Sequence, residues 1–238
     1  ATVIGLLILL IGALHYHVLQ GRRGQFLTRF LSPHVLDLVR RRGLRSAMQD
    51  DCHELSIVCC DLRGFTGSAR EHNSGEVIAI LRAYYDQVGE AVTEFEGTVK
   101  DYAGDGVLIL LGAPLRFDDH ARRAVSLAET IVRRWHENSQ PLDVGVGVAT
   151  GLVTVGIVGG AGRLEYAAVG SAVNLASRLC EEARPGEVLV AAETVEAIAA
   201  TGSPAGLEPS APRRLKGFAD EVATFALEPA NPQSMVAS

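Results

Sequence analysis

TVKDYAGDGVLILLG, residues 98–112, is the stretch on which the fold turns. Residues 99–102 alternate as a strand does, and residues 107–111 are an unbroken apolar run. Between them Ala103-Gly104-Asp105-Gly106 supplies the glycines a tight hairpin needs for positive φ. The turn lifts one carboxylate, Asp105, to the end of two buried strands. A second carboxylate, Asp61, ends another apolar run at 55–60, with Gly64 close behind. Two aspartates at strand ends beside glycines are what a divalent-cation and phosphate site needs.

Composition narrows the classes. The 238 residues begin without Met, which points to a piece of something longer, and they suffice for one large domain with an appendage. Aromatic residues make up 5%, so the core is expected to be aliphatic. A net charge of −6 with mixed signs argues against a nucleic-acid binder that works by phosphate neutralisation. Cys52, Cys59, Cys60 and Cys180 form no CxxC pair and no zinc spacing, and read as reduced core cysteines of a cytosolic domain.

Residues 1–14 are apolar, followed by His15-Tyr16-His17 and then Arg22 and Arg23. Three readings stand: a signal peptide, a buried soluble helix, or the end of a transmembrane helix. A signal peptide carries its positive charge before the apolar run rather than after it. The preferred reading is the C-terminal part of a transmembrane helix over 1–21, with Tyr16 at the interface and Arg22/Arg23 on the cytoplasmic side. His15 and His17 read as interfacial polar residues or, alternatively, ligands of a cofactor at the membrane surface. Residues 22–52 read as a helical connector. Phe26, Phe30, Val35, Leu38 and Val39 fall at helical intervals, and Ser32-Pro33 is an N-cap followed by an N1 proline. The connector suits either a parallel helix pair in a dimer or a helix packed on its own domain.

The globular domain is expected over 53–228 with a tail at 229–238. Strand 55–60 leads to a helix at 74–96, whose apolar stripe is Val77, Leu81, Tyr84, Val88, Val92 and Phe95. The hairpin 98–112 follows, then a helix at 118–137. Residues 142–150 and 152–158 read as a strand pair joined at Gly151. A helix at 172–182, a strand at 187–191 and a short helix at 193–200 come next. Residues 201–212, with three prolines, read as a loop, and 214–217 with 222–227 as a last hairpin. Helices interleaved with antiparallel hairpins make this an α+β fold rather than a doubly wound sheet.

No GxxxxGK[ST] occurs, which excludes a P-loop, and Gly145-Val146-Gly147 lies inside a strand pattern rather than opening a helix. GIVGGAG at 156–162 reads as a flexible turn. In 170–178, GSAVNLASR, Asn174 and Arg178 are four apart and share a helix face. An amide and a guanidinium there can orient a sugar and hold a phosphate under attack.

CDLRGFT (60–66), YAGDGV (102–107) and GSAVNLASR (170–178) closely resemble the class III nucleotidyl cyclase catalytic domain, over about residues 50–228. The resemblance implies a ferredoxin-like βαββαβ core and a head-to-tail homodimer with two composite sites. It also implies two Mg²⁺ or Mn²⁺ ions, held by Asp61, Asp105 and the backbone carbonyl of Leu62. Asn174 corresponds to the residue that orients the ribose, Arg178 to the one that stabilises the α-phosphate, and Lys216 resembles a triphosphate-binding lysine. The implied reaction converts a nucleoside triphosphate to its 3′,5′-cyclic monophosphate and pyrophosphate.

The sequence departs from the family pattern where the base is read. Asp101 stands where adenylate cyclases carry Lys and guanylate cyclases carry Glu, with Lys100 one position earlier. Ala167 stands where adenylate cyclases carry Asp or Thr. In a flat strand Lys100 and Asp101 face opposite sides, so Lys100 reaches the base only if the strand is bulged. These residues tilt toward GTP or toward relaxed selectivity, and the prevalence of adenylate cyclases among bacterial members tilts toward ATP. The expectation is a membrane-tethered adenylate cyclase with a cytoplasmic catalytic domain. A guanylate cyclase is the alternative, and a silent nucleotide-binding domain or a membrane-anchored dimerisation module the weaker ones.

Overall fold

The computed structural model describes residues 41, 49–71, 73–138, 140–160, 163–202 and 206–227. The expected membrane segment, nearly all of the connector and the tail lie outside the described residues. Among the described residues no helix is long and apolar enough to cross a membrane.

The chain order is β1 (Asp51–Leu62), α1 (Phe65–Glu71), α2 (Ser74–Glu94), β2 (Thr98–Ala103), β3 (Gly106–Leu111), α3 (His120–Glu137), β4 (Val144–Gly160), β5 (Arg163–Val169), α4 (Ser171–Glu182), β6 (Val188–Ala191), α5 (Ala192–Thr201), β7 (Leu207–Arg213) and β8 (Val222–Leu227). The sheet runs β2-β3-β1-β4-β6-β8-β7, and β5 pairs with β4 alone. β1-α2-β2-β3-α3-β4 with sheet order β2-β3-β1-β4 is the ferredoxin-like core that the resemblance implied. β1 opens at Asp51, two residues before the expected boundary.

Strand alternation divides the sheet into two faces. Val58, Cys60 and Leu62 of β1 and Val144, Val146 and Val148 of β4 enter one core with Tyr84, Val88 and Ala91 of α2 and Leu127, Ile131 and Trp135 of α3. Asn73 caps α2 reciprocally, taking the Glu76 N–H at 3.0 Å while Glu76 Oε2 takes the Asn73 N–H at 3.1 Å. Trp135 meets Tyr84 edge-on at 5.4 Å and donates its indole N–H to the Leu142 carbonyl.

The other face seats α4. The odd residues of β4 are Gly145, Gly147, Ala149 and Gly151, and this run of small side chains is a trough. A Cβ on Gly147 would lie 2.2 Å from the Ala176 oxygen and 2.3 Å from the Cys180 nitrogen, so the helix backbone lies directly on the strand. The expected turn at Gly151 is therefore corrected. Gly151 pairs with Leu55 in mid-strand and faces Ala172, and its small size serves packing. The flexible turn expected at 156–162 is corrected likewise: β4 continues to Gly160, paired with β5, which the sequence reading did not anticipate.

The loop expected at 201–212 also needs correction. Leu207–Arg213 is a strand paired with β8, and it replaces 214–217 as the partner in the last hairpin. β7 is the sheet edge, where Pro209 and Pro212 cost no ladder bond inside the sheet.

Candidate active site

β1 pairs with β3 so that Asp61 stands opposite Gly106, next to the turn bearing Asp105. Gly104 takes φ +67°, which a side chain would resist. The Tyr85 hydroxyl of α2 donates to the Gly104 carbonyl, and its ring meets that of Tyr102 at 4.5 Å, so α2 holds the turn in place. The two carboxyls are close enough to share a proton. Burial first, then the like charge of Asp105, pushes Asp61 up to about 6. A carboxylate pair forced together this way fits a divalent cation, whose charge relieves the repulsion. The Leu62 side chain is buried in the core, so what this residue offers the site is its backbone. Its N–H already donates to the Asp61 carboxylate. Among the described residues no group of three or more His, Cys, Asp or Glu side chains stands ready for a metal. The oxygen donors brought together here are the carboxylates of Asp61 and Asp105.

Asn174 is exposed in the first turn of α4, and Arg178 follows one turn later. Arg178 Nη1 lies 2.7 and 2.6 Å from the two carboxylate oxygens of Glu181. No hydrogen bond or ion pair joins Asn174 or Arg178 to Asp61 or Asp105 among the described residues. One side chain bridges these groups. Arg63 Nη2 lies 3.6 Å from Asp61 Oδ2 and donates to the Cys180 carbonyl at 2.8 Å. Cys59, on the same side of β1, meets Cys180, whose hydrogen bond draws the Cys59 thiol below its usual range. Sequence reading missed Arg63, although Cys59, Asp61 and Arg63 share a strand period of two.

The condition set for Lys100 is met. Val99 pairs with Ile109 but Asp101 with Leu108, so β2 carries one extra residue at Lys100. Lys100 Nζ lies 2.6 Å from Glu165 Oε1 of β5 and 3.7 Å from Asp101 Oδ2. Its side chain is only 13% exposed, while Asp101 is exposed. Ala167, two residues from Glu165, is half-buried. Glu165 was also missed, because nothing in the sequence revealed that β5 exists. Lys216 is exposed in the turn after β7, and no ion pair among the described residues ties it to the other site residues.

The family of the adenylate and guanylate cyclase catalytic domain matches residues 48–229. Uncharacterized protein Rv1318c of Mycobacterium tuberculosis is 32% identical over 155 residues, covering 64% of this chain and 29% of that protein. The chain thus spans under a third of the length of the curated relatives it matches. The adenylyl cyclase CyaB from P. aeruginosa superposes with a TM-score of 0.69 at 26% identity, covering 77% of this chain and 98% of that one. The guanylyl cyclase Cya2 gives 0.66 at 31% identity, with the same coverage. With the aspartate pair at the end of β1, the Asn174/Arg178 face of α4 and a match across the whole sheet, the chain belongs to the class III adenylate and guanylate cyclase family, of which it carries the catalytic domain.

Proposed function

We propose that the domain is an adenylate cyclase that forms 3′,5′-cyclic AMP and pyrophosphate from ATP in a homodimer. The observation that carries the cyclase reading is the Asp61/Asp105 pair, two carboxyls brought together at a strand end in a chain of this family. Asp61, Asp105 and the Leu62 carbonyl would hold Mg²⁺ or Mn²⁺, which would supply positive charge to activate the ribose 3′-hydroxyl and offset that of the leaving pyrophosphate. Asn174 orients the ribose. Arg178 leaves Glu181 and meets the negative charge that grows on the α-phosphate. Lys216 binds the triphosphate. Composite sites follow if each chain lends its aspartates to one site and its α4 to the other. Leu152 and Val169, 68% and 69% exposed beside the start of α4, are apolar surface that a second copy would cover. Residues 1–21 serve as the membrane tether, which leaves the catalytic domain on the cytoplasmic side.

The bulge supports ATP. It turns Lys100 toward Glu165, giving one donor and one acceptor side by side, as adenine N1 and the N6 amino group require. The exposed Asp101 and the absence of a polar group on Ala167 favour the second reading, a guanylate cyclase. Rates with ATP and GTP decide between them, and Glu165→Gln should shift the ratio at least severalfold; an unchanged ratio removes Glu165 from base reading. Mixing Asp105→Ala with Arg178→Ala chains should restore activity, since one site per heterodimer stays intact. Confirmed heterodimers without activity would refute shared sites.

A further inference from the structure

One nitrogen of Arg63 has more acceptors than hydrogens. Its Nη2 carries two hydrogens and faces three acceptors. These are the Cys180 carbonyl at 2.8 Å, Cys180 Sγ at 3.4 Å and Asp61 Oδ2 at 3.6 Å. Nη1 reaches the Glu181 carbonyl at 3.5 Å, while Nε is buried without an acceptor. The carbonyls that Arg63 meets belong to the last turn of α4, where one N–H, that of Ala183, is shared between Leu179 and Cys180 and the helix end favours a cation. The side chain is 18% exposed and lies where Gly145 leaves room. A Cβ on Gly145 would stand 2.4 Å from Nε and 2.8 Å from Cζ. Beyond Glu181 the path continues, because the carboxylate of that residue holds Arg178 at 2.6 Å.

We propose that Arg63 is a positioning residue that couples the cation-holding carboxylate Asp61 to helix α4, and through Glu181 to Arg178. The proposal rests on reading Asp61 as a cation ligand. Asp61 and α4 compete for one guanidinium. When Asp61 is committed to a cation, Arg63 turns fully to the Cys180 and Glu181 carbonyls and fastens the end of α4. In a homodimer with composite sites, this α4 serves the other site, so the path runs from one active centre to its twin.

The test is hydrogen exchange on the full chain with and without Mn²⁺, beside a Mn²⁺ binding titration. In the wild type, Mn²⁺ should slow exchange in peptides covering 171–186 by about fivefold, the size expected of a coupling through one side chain. Arg63→Gln should bind Mn²⁺ as tightly as the wild type or more so, since a neighbouring cation is gone, yet show no slowing. Gly145→Ala, which keeps the arginine but fills its seat, should do the same, and it decides the matter if Arg63→Gln does not fold. Slowing that persists in the variants overturns the proposal. Mn²⁺ binding to the wild type with no change in α4 overturns the coupling and leaves the cation site standing. Absence of Mn²⁺ binding overturns both.

Discussion

Replacing Asp61 by asparagine is expected to make the protein more stable in EDTA while removing its cation site. The carboxyl is pushed from 3.8 to about 6 by burial and by Asp105. A raised folded-state value means that stability is fully present below the unfolded value of 3.8 and is lost as pH rises through about 6. A shift of this size corresponds to about 3 kcal/mol. The side chain is 35% exposed, and solvent screening reduces the figure to about 1–2 kcal/mol. Asparagine keeps an oxygen for the Leu62 N–H and carries no charge, so the variant escapes the penalty. For a domain of this size the gain is about 3–6 °C in Tm at pH 7.5, and it should vanish near pH 4. Thermal melts followed by circular dichroism in EDTA at the two pH values measure it. With Mn²⁺ the wild type should gain stability by linkage and the variant should not. An asparagine variant that melts at or below the wild type at pH 7.5, or a gap independent of pH, would refute the argument that burial and the neighbouring Asp105 penalise the Asp61 charge.

Gly147→Ala puts a methyl into the backbone of α4, and neither partner is a flexible side-chain end. It should destabilise by about 2–3 kcal/mol or more in urea unfolding, and loss of far less would mean that α4 does not sit on β4 as described. His120 lies buried with Nδ1 2.9 Å from Ser56 Oγ, which in turn meets Thr150 Oγ1 at 2.6 Å. Burial holds His120 below its usual 6.5, despite Glu54 at 3.9 Å, so its stabilising contribution is present above pH 6.5 and is lost as pH falls toward the folded value. Asp61 pulls the other way across the same window. The clean comparison is therefore Asp61→Asn against Asp61→Asn/His120→Asn, and the second should lose less stability between pH 7.5 and 5.

The hairpin at 98–112 was legible because glycine, a lone carboxylate and two apolar runs have one economical arrangement. The stripe on α2 was equally plain, since Val88 and Val92 repeat at helical spacing on one buried face. Glycine misled at Gly151. Locally, a glycine that turns the chain and one that admits a helix look alike, and only the packing of α4 tells them apart. Pro209 and Pro212 misled in the same way, because a proline's tolerance depends on whether its strand lies at an edge, which is a property of the whole sheet. The aspartates and the Asn174/Arg178 pair came from motifs. Arg63 and Glu165 did not, since what makes each notable is a partner more than sixty residues away.

The extra residue in β2 gives its neighbours two addresses. Counted back from Asp105, the fourth position is Asp101; matched through the ladder from Val99, the residue that turns toward β5 is Lys100. Deleting one residue there would merge the two counts. It would straighten the ladder, with each flank keeping the face set by its β3 partners. In this chain a single-codon deletion would change which side chain meets β5, and an alignment with its gap one column astray would name the wrong residue at that position.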